Sequence, residues 1–236
     1  MNVVSARGRR SLIYLSASAI FAALVFVAFA HQYYLASLFK SPQLPTLLRV
    51  HGAVMTGWVL LLVTQSTLVS AHRVQWHRQL GMFGAAWAVL VVIMGCAATL
   101  HASAREVRGH TDIAPLQLTI TGLELVQMLL FAGFVACAVW LRRRGDFHKR
   151  LMLLTIICML PSIFPRLPFD LFPSMISILF AVYASLAICI GVDTLVYRRL
   201  HPAFGWGGAV FVVALQLAFF GAYTTAWRDF LARQLA

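Results

Sequence analysis

Charge is scarce in this chain, and negative charge most of all: 11% of its 236 residues are charged, with seven Asp or Glu against nineteen Lys or Arg. With 61% of residues hydrophobic, an ordinary water-soluble domain is excluded, and no polar stretch is long enough to fold separately. Lysine is rarer still. Lys40 and Lys149 both lie outside the depths of the apolar runs, so neither can hold retinal as a Schiff base. Four cysteines, Cys96, Cys137, Cys158 and Cys189, stand singly inside apolar runs without a CxxC pair and read as small packing residues. No two histidines have the i, i+4 spacing of a metallohydrolase helix, which makes zinc a weak option. Low-complexity tracts and internal repeats are also missing.

What the chain does have is a succession of seven long apolar runs, about 13–33, 48–70, 79–100, 115–141, 150–167, 172–197 and 204–227. Most reach the roughly 20 residues needed to cross a bilayer. The expected fold is therefore all-α: a single domain, a seven-helix bundle spanning a membrane several times. The net charge of +12 would suggest nucleic acid in a soluble protein, but here the basic residues sort onto alternate sides of the membrane. Twelve of the nineteen, including Arg7, Arg9, Arg10, Arg73, Arg78, Arg142 to Arg144, Lys149, Arg150, Arg198 and Arg199, gather on one side. The positive-inside bias then places the N-terminus in the cytoplasm and the C-terminus outside, with a bacterial inner membrane as the expected location and no role for nucleic acid. Arg7 to Arg10, the apolar run from Leu12 and Ala28-Phe29-Ala30 also look like a signal peptide. The length of that run, and the even number of spans that cleavage would leave, favour a first span instead.

Short connections make consecutive helices antiparallel neighbours and place any chemistry inside the bundle or at its faces. Pro161, Pro165, Pro168 and Pro173 predict a fifth span that is kinked and ends abruptly, either lining a cavity or simply terminating.

The eight histidines divide into two sets of four. His31, His51, His101 and His110 fall near the outer face, and His72, His77, His148 and His201 near the inner one. Neutral imidazole is a good axial ligand for haem iron, and a b-type haem held between two helices needs one from each. His77 and His148 are placed to bracket a haem near the inner surface. His51 with His110 or His101 would bracket a second near the outer one, making an electron path across the membrane. Arg78 and Arg150 inside, and Arg49 and Arg108 outside, are candidates to pair with haem propionates. Histidine is equally at home at the water–lipid boundary, and that reading needs no ligand.

His51-Gly52-Ala53-Val54-Met55-Thr56-Gly57-Trp58, followed by Trp76-His77-Arg78-Gln79-Leu80-Gly81, resembles the second and third helices of the transmembrane di-haem cytochrome b family that carries electrons from ascorbate across membranes. The resemblance implies haem ligands at His51, His77 and His148. The family's fourth ligand has no counterpart, because no histidine lies between Thr111 and Phe147, and His110 would have to reach in from a loop. These stretches, with Arg144-Gly145-Asp146-Phe147-His148-Lys149-Arg150-Leu151-Met152, also resemble a bacterial family of membrane proteins of no established activity, over about residues 48–167. That second resemblance is the closer one; it implies the architecture and leaves function open.

Glu124, about eight residues into the fourth span, and Gln127 one turn on lie where a lone carboxylate is costly. Arg166 is the expected partner of Glu124. A proton or quinone site and an interhelical hydrogen bond are both consistent with this pair. Asp193 is expected to form a boundary ion pair with Arg198 or Arg199. The leading expectation is a membrane-embedded haem b protein passing electrons from a donor such as quinol to an acceptor at the other face, an oxidoreductase if it acts as an enzyme. Its partners would be the bilayer, a quinone or redox protein, and further copies of itself. The alternative is a cofactor-free membrane subunit or small-solute or proton carrier with interfacial histidines.

Overall fold

Every apolar run of the sequence is a helix, because lipid offers no partner for an exposed backbone N–H or C=O and a helix satisfies these groups within one segment. The computed structural model describes residues 6–109, 114–222 and 224–235. They form α1 (Ala6–Phe29), α2 (Thr46–Ser70), α3 (Val74–Gly109), α4 (Ala114–Trp140), α5 (Gly145–Ile163), α6 (Met175–Tyr197), α7 (Pro202–Ala222) and α8 (Thr225–Leu235). A π-helical turn, Ala30–Tyr34, prolongs α1, and a 3₁₀ turn, Phe164–Arg166, ends α5. No strand occurs among the described residues. Seven helices are long and apolar enough to cross a bilayer, so the chain is a multi-pass membrane protein built as a seven-helix bundle.

The helix ends carry identifiable signals. Ser174 and Ser177 form a reciprocal capping box at the start of α6, each hydroxyl accepting from the other's backbone N–H at 3.1 Å. Pro202 occupies the first position of α7, where its missing N–H costs nothing. His72 and Arg198 take left-handed conformations (φ 59° and 57°) as the chain leaves α2 and α6.

In the middle of the bundle stands α5. Of its spanning window 72% is buried, against 17% for α6. It packs on α4, α7, α1 and α6, while α3 lies between α2 and α4. Leu154, Ile157 and Cys158 of α5 meet Phe131 and Ala138 of α4 and Phe211 of α7 in one continuous core. Large apolar side chains that point away from it, such as Met82, Leu129 and Phe180, form the lipid-facing surface. Pro161 sits inside α5, and the helix stops within a turn of it.

Besides the polar first turns that α1, α3 and α5 add ahead of their apolar runs, two helix ends differ from the sequence expectation. The third helix runs to 36 residues, about 54 Å, well beyond the apolar segment 79–100. Its polar outer turns stay helical because Ser103 and Thr121 of α4 are hydrogen-bonded, and Ala104 packs under Leu118 and Leu231. The seventh helix ends at Ala222, and Thr225–Leu235 forms a separate amphipathic helix, α8, against α3, α4 and α7. The Thr224 hydroxyl accepts the Trp227 N–H at 3.4 Å and caps it.

Candidate functional site

At the basic end of the bundle, α3 and α5 both begin with a histidine in the first turn. His148 is oriented by the end of α4. The last four carbonyls of a helix lack intrahelical partners. Arg142 N–H donates to Val139, leaving the Ala138 carbonyl open, and His148 Nδ1 donates to it at 2.8 Å. A carbonyl only accepts, so the proton is on Nδ1 and the lone pair on Nε2 is free. A carbonyl behind an imidazole is also the usual device for fixing the tautomer of a metal-ligating histidine.

His77 faces it. The two ring centroids are 6.1 Å apart, with the planes at 80°. His77 Nδ1 is buried without a hydrogen-bond partner. A metal ion between two imidazoles sits about 2.0–2.1 Å from each ring nitrogen, which with two ring radii puts the centroids about 6 Å apart. The centroid spacing is thus of the length that one ion shared by His77 and His148 would need. Among the described residues no three His, Cys, Asp or Glu side chains converge, so the pair stands without the third or fourth side-chain ligand that protein zinc sites use.

The opposite end is different. His51 Nδ1 donates to the Met94 carbonyl at 3.2 Å, leaving its Nε2 free in the same manner. No second imidazole meets it among the described residues. His101 lies seven residues beyond Met94 on α3, with a buried, unpartnered Nε2, and His110 falls outside the described residues. His31 is exposed and engaged by Ser41.

The expected arginines also separate. Arg78 is exposed beside His77. Arg150 is 1% exposed and turned to the other side of α5, where its Nε donates to Asp193 Oδ2 at 2.8 Å and its guanidinium donates to the Asp146 carbonyl at 2.9 Å. It is engaged inside the bundle, away from any propionate at the rim. Tyr14 of α1 donates to the other Asp193 oxygen at 2.9 Å, and the Tyr197 ring covers the guanidinium at 4.5 Å. Lys149 reaches Asp146 and the Tyr197 hydroxyl. Asp193 thus pairs with Arg150, not with Arg198 or Arg199. The reason is geometric: Asp193 lies on the buried face of α6, while Arg198 begins the turn that carries both arginines into the open. Sequence reasoning missed this knot, although an aspartate late in an apolar span is itself a sign of a buried cation.

Glu124 is not joined to Arg166. The Thr99 hydroxyl donates to Glu124 Oε2 at 3.0 Å, and Ser162 donates to Gln127 at 3.1 Å. Arg166 folds back onto the Ser162 carbonyl and lies over the Phe29 ring at 5.4 Å, because the 3₁₀ turn after Pro161 aims it at α1 instead of α4.

No family model, curated protein or solved structure matches this chain. The two imidazoles at the basic end are the most specific chemical arrangement that its geometry offers.

Proposed function

We propose that this protein binds a b-type haem between His77 and His148 and carries electrons between a membrane donor, such as a quinol, and an acceptor at the other face. The observation that carries this reading is the 6.1 Å separation of two rings on different helices. It is supported by a carbonyl that fixes His148 as a lone-pair donor at Nε2, and by a buried nitrogen of His77 that has no partner. Haem b held by two histidines supplies reversible one-electron transfer at a potential tuned by its ligands and surroundings. The chain's own part is to fix the His148 ring through the Ala138 carbonyl and to set His77 opposite it. Arg78, exposed at the same end, offers the charge for a propionate, a role that Arg150 cannot share while held by Asp193. His51 has the correct tautomer for a second site at the opposite end, with His110 or His101 as the other ligand.

The resemblance of the His51 and His77 segments to di-haem cytochromes b points the same way. The basic end faces the cytoplasm of a bacterial inner membrane by the positive-inside bias. The alternative, a cofactor-free membrane subunit or proton carrier working through Glu124, is less favoured because Glu124 and Gln127 are both hydrogen-bonded to neighbouring helices in a manner that packing alone explains.

The deciding experiment is a visible spectrum of the purified protein after haem-supplemented expression, oxidised and then reduced. Sharp reduced bands of bis-histidine haem b, lost in His77→Ala and in His148→Ala, are expected. A colourless protein that remains folded refutes the reading.

A further inference from the structure

A second feature of the basic end lies on its lipid side, behind the hairpin of α2 and α3. There the two helices flank an open cleft of about 500 Å³. Arg73 stands at its mouth, in the turn between the helices. Thr64 and Gln79 line it about 8–9 Å further in, counting roughly 1.5 Å per residue along each helix. Leu80 and Phe83 form the deepest part of the α3 wall, and Trp76 flanks the opening. Among the described residues, Arg73, Thr64 and Gln79 have no side-chain hydrogen bond or ion pair within the chain.

From the mouth inward, the lining thus runs from a cation, past Leu68 and Trp76 to two neutral donors, and on to the hydrocarbon of Leu80 and Phe83. That sequence matches one class of molecule: the phosphate of an anionic phospholipid, then its glycerol ester carbonyls, then an acyl chain. An unpaired guanidinium over an apolar cleft at the headgroup level calls for an anion, and basic pockets between spans on this side of a membrane bind anionic headgroups. Tryptophan beside it is the usual interfacial residue. We infer that the α2–α3 cleft is a binding site for one anionic phospholipid of the leaflet at the basic end, with Arg73 holding its phosphate and Thr64 and Gln79 its esters. A quinone shares the apolar tail but has no phosphate for Arg73. The site does not depend on haem, although it braces the hairpin that carries His77.

The test uses the full-length, delipidated protein in detergent, titrated with dioleoyl-phosphatidylglycerol or dioleoyl-phosphatidylcholine and followed by native mass spectrometry. One basic side chain near a membrane surface gives about a fivefold preference for the anionic lipid in the first bound equivalent. Arg73→Gln is expected to erase that preference. Arg142→Gln, a change at an exposed arginine of the same end outside the cleft, is expected to keep it. Gln79→Leu, which leaves the cation in place, is expected to lower retention of both lipids. Equal retention of the two lipids by the unaltered protein, an undiminished preference in Arg73→Gln, or displacement of phosphatidylglycerol by a short-chain ubiquinone at equal concentration would each overturn the assignment.

Discussion

Arg150 of α5 and Asp193 of α6 meet at 2.8 Å with each residue 1% exposed, forming a charge pair shut inside the bundle and closed by the Tyr14 hydroxyl from α1. Three helices are tied at one point, two residues from His148. Removing one member of a buried pair strands the other, at a cost of about 3–5 kcal/mol. Asp193→Ala is therefore expected to lower thermal stability in detergent sharply. Replacing both partners with apolar residues of similar volume, as in Arg150→Met with Asp193→Leu, is expected to recover most of the loss. If the double variant is as unstable as the single one, the pair does not act as a unit.

His201 caps the following helix. Its Nδ1 accepts the Ala203 N–H at 3.2 Å, and its ring lies 4.7 Å from Phe147. Burial holds its pKa below the ordinary histidine value, with the Arg150 charge adding to the effect and Asp146 and Asp193 opposing it. A lowered pKa in the folded state means that the unfolded chain takes up a proton first as pH falls. The contribution of His201 is thus fully present above about pH 6.5 and declines as pH drops through that value. Thermal unfolding followed between pH 8 and 5 should show this decline, and His201→Asn, whose side-chain oxygen still caps without titrating, should flatten it. An unchanged slope in that variant would assign the pH dependence elsewhere.

The spans were legible because a bilayer demands long apolar runs, and no other structural requirement produces seven in one chain. The ends were less so. The helix α3 continues past its apolar run since Ser103 is bonded to α4 and Ala104 is covered by α4 and α8, and the break after Ala222 is made by a threonine cap that hydropathy does not register. His77 and His148 could be matched from topology alone, as both open helices at the same end. Asp193 could not be matched to Arg150, 43 residues away, while Arg198 and Arg199 stood nearby in sequence. The partner of Glu124 is hidden from the sequence for a related reason: the direction of Arg166 is set by a 3₁₀ turn whose rotation the four prolines signal only as an ending.

Glu124 offers a test between packing and proton coupling. Its visible partner is one neutral hydroxyl on α3, and a hydrogen bond between membrane helices is worth about 0.6 kcal/mol on average. Thr99→Val should therefore cost little stability. Glu124→Gln, which keeps an acceptor for Thr99, should cost no more and leave reduction of the protein by a quinol analogue unchanged. A loss of that reaction in Glu124→Gln without loss of stability would instead assign the carboxylate to proton transfer.

His77 allows the haem reading to be tested through stability alone. Its Nδ1 is buried and unpartnered, and a stranded polar group of this kind costs about 1–3 kcal/mol. In protein made without haem that cost is borne in full, so His77→Leu, of similar breadth and without polar atoms, should raise the melting temperature. If haem binds as proposed, in haem-supplemented protein the same change would remove a ligand and with it the stabilisation that binding confers on the folded state, so the melting temperature should fall. The sign of the effect must reverse between the two preparations. A substitution that stabilises both equally would mean that His77 never meets a metal, and that the two rings are no more than a side-chain contact between α3 and α5.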